Sequence, residues 1–256
     1  MKTPLLLPLL VSILCATSLC AQTVTVRGHV EVGDETVDAG SSAEKGRESV
    51  KHAAKTQTMP STIVWLTPAP GSGIELPAPS TAAGSRLVQK NKNFEPHVLV
   101  VSAGSTVEFP NHDPFFHNVF SLFEGKRFDL GLYEAGTTRT VRFDRPGISY
   151  IFCNIHPEMS AVVITLTTPI YAAASPDGQV SLAGVPYGRY LLHVWSEGMT
   201  PENDKMLDRE ITISEGATTL GVIRVPRANG QRIAHKNKYG RDYDKPTPDS
   251  TLYEQH

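Results

Sequence analysis

The sequence predicts an all-β protein. Short runs rich in Val, Ile, Thr and Tyr recur along the chain, and 20 Gly and 19 Pro in 256 residues break them at close intervals. A net charge of −2 implies no general attraction to nucleic acid or to an acidic membrane. The length has room for one or two domains.

Taken in order, Met1 to Ala21 has the form of a signal peptide: Lys2 gives the positive start, Leu5 to Leu14 is apolar, and Ser18 to Ala21 offers small residues for cleavage. A periplasmic or secreted protein is expected. Lipidation at Cys15 or Cys20, or an uncleaved anchor, is the alternative route to a membrane. Neither Cys follows a good lipobox, and the apolar run is short and contains Pro8. Thr23 to Val32 alternates as a strand does, and residues 33–60 are polar and read as a flexible excursion. Ser61 to Thr67 is a second strand, ended by Pro68-Ala-Pro-Gly-Ser-Gly73, and 74–85 reads as a linker.

Val98 to Ser102 and Thr106 to Phe109 are strands, separated by a turn at Ala103-Gly104; Pro110 stops the second. Residues 112–138 read as loop-rich. Arg139 to Phe143 alternates, Asp144-Arg-Pro-Gly147 turns the chain, and Ile148 to Cys153 and Ala161 to Thr167 are strands. Residues 169–226 form a different unit. Ala172 to Leu182 is a hairpin about Asp177-Gly178, a strong turn signal. Val185 to Trp195, Glu210 to Ile213 and Leu220 to Val225 supply further strands. Residues 227–256 read as an extended tail whose basic start, Arg227 to Arg241, is either solvated or fitted to an acidic partner.

The chemistry concentrates in Cys153-Asn-Ile-His156-Pro-Glu-Met159. A thiolate and imidazoles in a trigonal set, with a weak axial thioether, suit a copper ion that cycles between Cu(I) and Cu(II). The stretch lacks a second imidazole, and His117 in Phe115-Phe-His-Asn-Val119 is the candidate; His112 is the competitor. Signal cleavage removes Cys15 and Cys20 and leaves Cys153 alone. An unpaired Cys is unusual in an oxidising compartment. Metal ligation is one reason to keep it, and burial as a small apolar residue is the other.

Residues 86–168 resemble a cupredoxin, the blue-copper fold of plastocyanin, pseudoazurin and amicyanin. The matching pieces are Val107-Glu-Phe-Pro-Asn111, His117-Asn118-Val119, Pro146-Gly147 before a strand ending at Cys153, then His156-Pro157 and Met159. The short Cys-x2-His-x2-Met loop is the amicyanin form of the pattern. The resemblance implies one type 1 copper held by His117, Cys153 and His156, with Met159 axial. It implies a buried His117, and a solvent-facing edge on His156 through which electrons pass. Pro157, Phe115 and Phe116 would form an apolar rim, unless the two Phe simply pack the core. Asn118 would tie the two ligand loops together by hydrogen bonds. Glu158 departs from the apolar residue the pattern has before Met.

Residues 169–226 resemble a carboxypeptidase regulatory-like, or transthyretin-like, β-sandwich, on Asp177-Gly178, the Pro186-Tyr-Gly188 turn and Tyr190. That module starts with two further strands, which 24–31 and 61–67 supply. The expected architecture is therefore a Greek-key cupredoxin sandwich, residues 80–168, inserted into a second small sandwich made of 22–79 and 169–226. The simpler arrangement puts the early strands in the cupredoxin sheet, and the pairing of 62–67 decides between them.

The function expected is a periplasmic mononuclear type 1 copper protein that carries single electrons between redox partners such as a cytochrome, dehydrogenase or oxidase. The alternative is an envelope-binding or adhesion module whose cupredoxin domain merely holds copper. An enzyme is not expected. No His-x-His pair is present for a second copper, and no Ser-His-Asp arrangement, phosphate loop or paired zinc motif rises above chance.

Overall fold

The computed structural model describes residues 22–33, 60–81, 84–122, 125–199, 207–226 and 235–243. The segment expected to be a signal peptide and most of the expected polar excursion lie outside the described residues. Among the described residues, all the regular structure is β. No helix among the described residues is long and apolar enough to cross a membrane.

The strands, in chain order, begin with β1 (Thr23–Gly33) and β2 (Thr62–Pro68). Three short ones follow, β3 (Ser85–Arg86), β4 (Val88–Lys90) and β5 (Asn93–Glu95). Then come β6 (Val98–Ser102), β7 (Ser105–Pro110), β8 (His117–Ser121), β9 (Phe128–Tyr133), β10 (Thr138–Phe143), β11 (Gly147–Cys153) and β12 (Ser160–Leu166). The last five are β13 (Tyr171–Ala173), β14 (Gln179–Pro186), β15 (Gly188–Ser196), β16 (Arg209–Ile213) and β17 (Thr219–Pro226).

Pairing divides them into two units. β1 lies between β14 and β17, and β2 lies between β13 and β15, with β16 beyond. Among the described residues, the ladder partners of β1 and β2 thus come from 171–226. The two sheets face each other across a core of Val26, Val30, Val64, Leu66, Leu182, Leu192, Val194 and Ile223. The Pro186-Tyr-Gly188 turn is closed by the Tyr190 hydroxyl, which donates to the Pro186 carbonyl at 2.8 Å. Gly188 has φ +144, and a Cβ there would sit 2.5 Å from Ile74 Cδ1. The stretch expected as a linker is therefore packed: Ile74 and Leu76 lie against this core.

Between β2 and β13 the chain builds the inserted sandwich. One sheet has the order β6-β12-β11-β8-β9 and the other β10-β7-β3. Their shared core holds Phe109, Val119, Val141, Phe143, Ile151, Cys153, Met159 and Val163. Side chains alternate across a strand, and the five-stranded sheet is covered on both faces. Ile151 and Cys153 point into this core, while Tyr150 and Phe152 pack on the other side with Phe120, Ile63 and Trp195. That third cluster joins the sheet of β2 and β15 to the insert. Two-sided burial explains why Ala161 to Leu166 reads as a nearly continuous apolar run. Residues 112–138, expected to be loop-rich, contain β8 and β9. Their burial patterns, fully buried for β8 and irregular for β9, carry little of the period-2 alternation that marks a half-buried strand.

Candidate metal centre

β8 delivers His117 and β11 ends at Cys153, in adjacent antiparallel strands whose register pairs Cys153 with Val119. The next residues leave the sheet. Met159 N–H donates to the His156 carbonyl at 3.0 Å, and Cys153 N–H points to the Met159 carbonyl at 3.3 Å, so 153–159 closes as a tight loop. This folds His156 back over Cys153.

Three donor atoms converge. Cys153 Sγ lies 3.6 Å from His117 Nδ1 and 3.6 Å from His156 Nδ1, and the two Nδ1 atoms are 3.2 Å apart. A triangle with those sides has its centre about 2.0 Å from each corner, close to the ~2.0–2.1 Å and ~2.3 Å at which zinc binds nitrogen and sulfur. The donor set therefore fits a first-row metal ion, and one thiolate with two imidazoles in a trigonal set is the blue-copper choice. Met159 is fully buried in the same core cluster as Cys153. His117 is buried, His156 half-buried, and His112 exposed outside the cluster.

The environment favours neutral imidazoles. His117 Nε2 donates to the buried Asp113 carboxylate at 2.9 Å, so its proton sits on Nε2 and the Nδ1 lone pair faces the cluster. Asp113 was not anticipated from the sequence. It stands four residues before His117, and its other partners are the backbone N–H groups of Asn91 and Lys92. Both residues have positive φ, as the two-residue turn between β4 and β5 requires. Burial pushes Asp113 up, but the Lys92, His117 and Asn91 donors outweigh it and hold the carboxyl below its ordinary range. Burial lowers His117, with Asp113 opposing. Burial and the neighbouring His117 bring His156 down to about 4. The Cys153 thiol is raised by burial, although the backbone amides of Asn118, Ile155 and His156 favour its thiolate.

Asn118 does link the two ligand segments, through its backbone rather than its side chain. Its carbonyl accepts from Asn154 N–H at 2.9 Å. The side-chain Nδ2 turns instead to Asp129 on β9, at 2.7 Å. The β8–β9 register shifts between Asn118 and Phe120. Phe115 borders both imidazoles, with ring centroids 5.3 Å from His117 and 5.4 Å from His156, and the Lys92 ammonium sits over its outer face. Phe115 and Phe116 are half-buried, and Pro157 and Glu158 are exposed. Of the expected rim residues, Phe115 is the one in ring contact with the imidazoles.

Of the expected tail only 235–243 are described, and these nine residues depart from the extended form expected of them. Residues 235–243 fold back beside the ligand loop, and Lys238 is paired with Asp129 at 2.8 Å. A second polar line lies in the other unit. Thr67 Oγ1 is 2.8 Å from His193 Nε2, and His193 Nδ1 is 2.9 Å from Asp208, with Trp65 stacked on the imidazole. The sequence gives no sign of it, because the three residues come from separate segments.

No protein-family model matches the chain, and no curated protein matches it. Solved structures are similar in part. A novel purple cupredoxin from Nitrosopumilus maritimus is 21% identical, over 32% of this chain and 99% of its own, with a TM-score of 0.30. A copper-containing nitrite reductase from Thermus scotoductus SA-01 is 24% identical, over 38% of this chain and 24% of its own, with a TM-score of 0.31. An amicyanin mutant in the Cu(I) form is 20% identical, over 40% of this chain and 98% of its own, with a TM-score of 0.31.

Proposed function

We propose that this protein is a single-electron carrier built on one type 1 copper, held by His117, Cys153 and His156 with Met159 as the axial ligand. The observation that carries the reading is the triangle of one sulfur and two Nδ1 atoms, each within 3.6 Å of the others. Bound copper would supply a one-electron Cu(I)/Cu(II) couple. Cys153 gives up its proton to become a ligand, and the raised thiol makes metal binding a proton-releasing step. Asp113 holds the His117 proton on Nε2. The two loops, tied through the Asn118 carbonyl, keep the donors in place whichever charge the site carries. Phe115 screens both imidazoles from water.

His156, half-buried at the rim, is the contact point offered to a redox partner such as a cytochrome, dehydrogenase or oxidase. The leader and the lone Cys153 support a periplasmic or secreted location. The split sandwich, with its carboxypeptidase regulatory-like turn pattern, would dock or place the carrier rather than catalyse. The test is a titration of purified metal-free protein with Cu(II). An intense visible thiolate-to-copper band is expected at one equivalent, and Cys153→Ser removes it. A colourless wild-type complex ends the proposal.

A further inference from the structure

The β11–β12 ladder ends at the pair Phe152 and Ser160. Beyond it, the carbonyls of Cys153 and Pro157 face away from any sheet partner in that ladder, at the two ends of the segment that presents His156. Both meet donors from a segment that is distant in sequence. The Tyr243 hydroxyl donates to the Cys153 carbonyl at 2.8 Å. His235 Nε2 lies 3.0 Å from the Pro157 carbonyl, which can only accept, so Nε2 carries the proton.

The same segment makes three more attachments. The His235 ring stacks on Phe152 with centroids 3.9 Å apart and planes at 23°. Lys238 N–H donates to Asn154 Oδ1 at 2.9 Å. The Lys238 ammonium donates to Asp129 at 2.8 Å, the carboxylate that also holds the Asn118 side chain. The segment is folded in its own right. Asn237 Oδ1 accepts from Tyr239 N–H and Arg241 N–H, both at 3.0 Å, and Tyr243 meets the His235 ring edge-on with centroids 5.2 Å apart. A merely solvated basic tail would not match Cys153, Asn154 and Pro157 in turn.

We propose that residues 235–243 are a strap that fixes the metal-ligand loop, and that His235 and Tyr243 are positioning residues of the centre. They touch no coordinating atom. They act by fixing the carbonyls that flank His156, so that its Nδ1 and the Cys153 sulfur are already in place before metal arrives. The proposal rests on 153–159 being that ligand loop. Pre-placed donors avoid the ordering cost of binding, which is what a rigid site requires.

The test uses the full chain, a version ending at residue 234, and the variants His235→Ala, His235→Gln and Tyr243→Phe. In metal-free protein, alkylation of Cys153 is followed by mass spectrometry, because the buried thiol reacts only when the loop opens. Loss of the Tyr243 hydroxyl, which meets the Cys153 carbonyl at 2.8 Å and His235 Nδ1 at 3.1 Å, should speed labelling roughly 2- to 10-fold in Tyr243→Phe, and the shortened chain should gain about tenfold or more. His235→Gln keeps a donor for the Pro157 carbonyl and should restore part of what His235→Ala loses. In Cu(II)-loaded protein, the thiolate-to-copper band should shift in the shortened chain, a change that general destabilisation does not produce. Unfolded variants are recognised by circular dichroism, and Tyr243→Phe removes a single hydroxyl. Equal labelling rates and an unshifted band in the shortened chain overturn the strap. A full chain that never develops a band overturns the copper reading instead, while the labelling rates still decide the strap.

Discussion

The two sandwiches are built from similar layers and filled in different ways. Between the sheets of the split unit the core is Val, Leu, Ile and Tyr. Every buried Gln, Asn, Asp and His among the described residues lies in the insert: Gln89, Asn111, Asp113, His117 and Asn118. Burying such groups costs stability unless each is hydrogen-bonded. Most are. Gln89 donates to the Tyr133 hydroxyl, Asn111 to the Phe115 carbonyl, and Asp113 accepts from two backbone amides and from His117. Gln89 Oε1 and Asn118 Oδ1 are buried without a hydrogen-bond partner. One unit thus buries mainly apolar side chains, and the other accepts a polar interior around the converging donors of His117, Cys153 and His156. The contrast teaches where the proposed function would sit: the buried polar network lies beside the Cys153 thiol.

The largest effect is expected where the two units meet. Trp195 is 1% exposed, in the cluster that includes Phe120, Phe152 and Ile63. Trp195→Ala should cost about 3–5 kcal/mol, and both units should melt together at a lower denaturant midpoint. Two separate transitions, with the Cys153 region keeping its original midpoint, would show that the sandwiches are independent and would break the picture of a joined pair.

A smaller effect sharpens the polar–apolar contrast itself. Asp113→Ala leaves the His117 Nε2 proton and the Asn91 and Lys92 amides without their acceptor. It should cost about 1–3 kcal/mol and weaken metal binding by about 10–100-fold, measured by chemical denaturation and by competition with a chelator. In the split unit, Thr62 and Ser196 form a buried hydroxyl pair at 2.8 Å. Removing both together, Thr62→Val with Ser196→Ala, should cost less, because the two hydroxyls lose each other and only the part-buried Pro60 carbonyl, 3.0 Å from Thr62 Oγ1, loses a partner. Equal losses from the two experiments would refute the contrast.

The smallest expected effect is acid sensitivity confined to the insert. In the metal-free fold His156 is held down to about 4 by burial and by His117, against an ordinary value near 6.5. Between those values the unfolded chain binds more protons than the folded one, so stability rises with pH across that window. Stability should fall as pH drops from about 6.5 toward 4 and be level in this respect above it. His156→Gln should flatten the pH dependence of the melting temperature. An unchanged slope in that variant would show that His156 is solvated rather than buried.

Much of this was legible along the chain because it is local. Period-2 alternation marked β1 and β10, and Asp177-Gly178 marked a hairpin. The spacings of Cys153, His156 and Met159 describe one tight loop, so their convergence needs only a turn. The expectation that failed most was that 112–138 is loop-rich, since β8 is buried on both sides and carries no alternation. Asn118 was expected to tie the two ligand loops by hydrogen bonds; its backbone carbonyl makes that bond while its side chain turns to Asp129, a division that no spacing announces.

The sequence by itself determined the class of fold, the donor types and the loop that carries two of them, because strand periodicity and short-range spacing are written in neighbouring residues. Tertiary structure alone decided that His117 meets them, that Asp113 sets its proton, and that His235 and Tyr243 hold the loop from outside. Those contacts join segments far apart in the chain, and their partners are chosen by strand register and by the directions of unpaired carbonyls and amides. Hydrogen bonds are short and directional, so that choice exists only once the sheets have assembled.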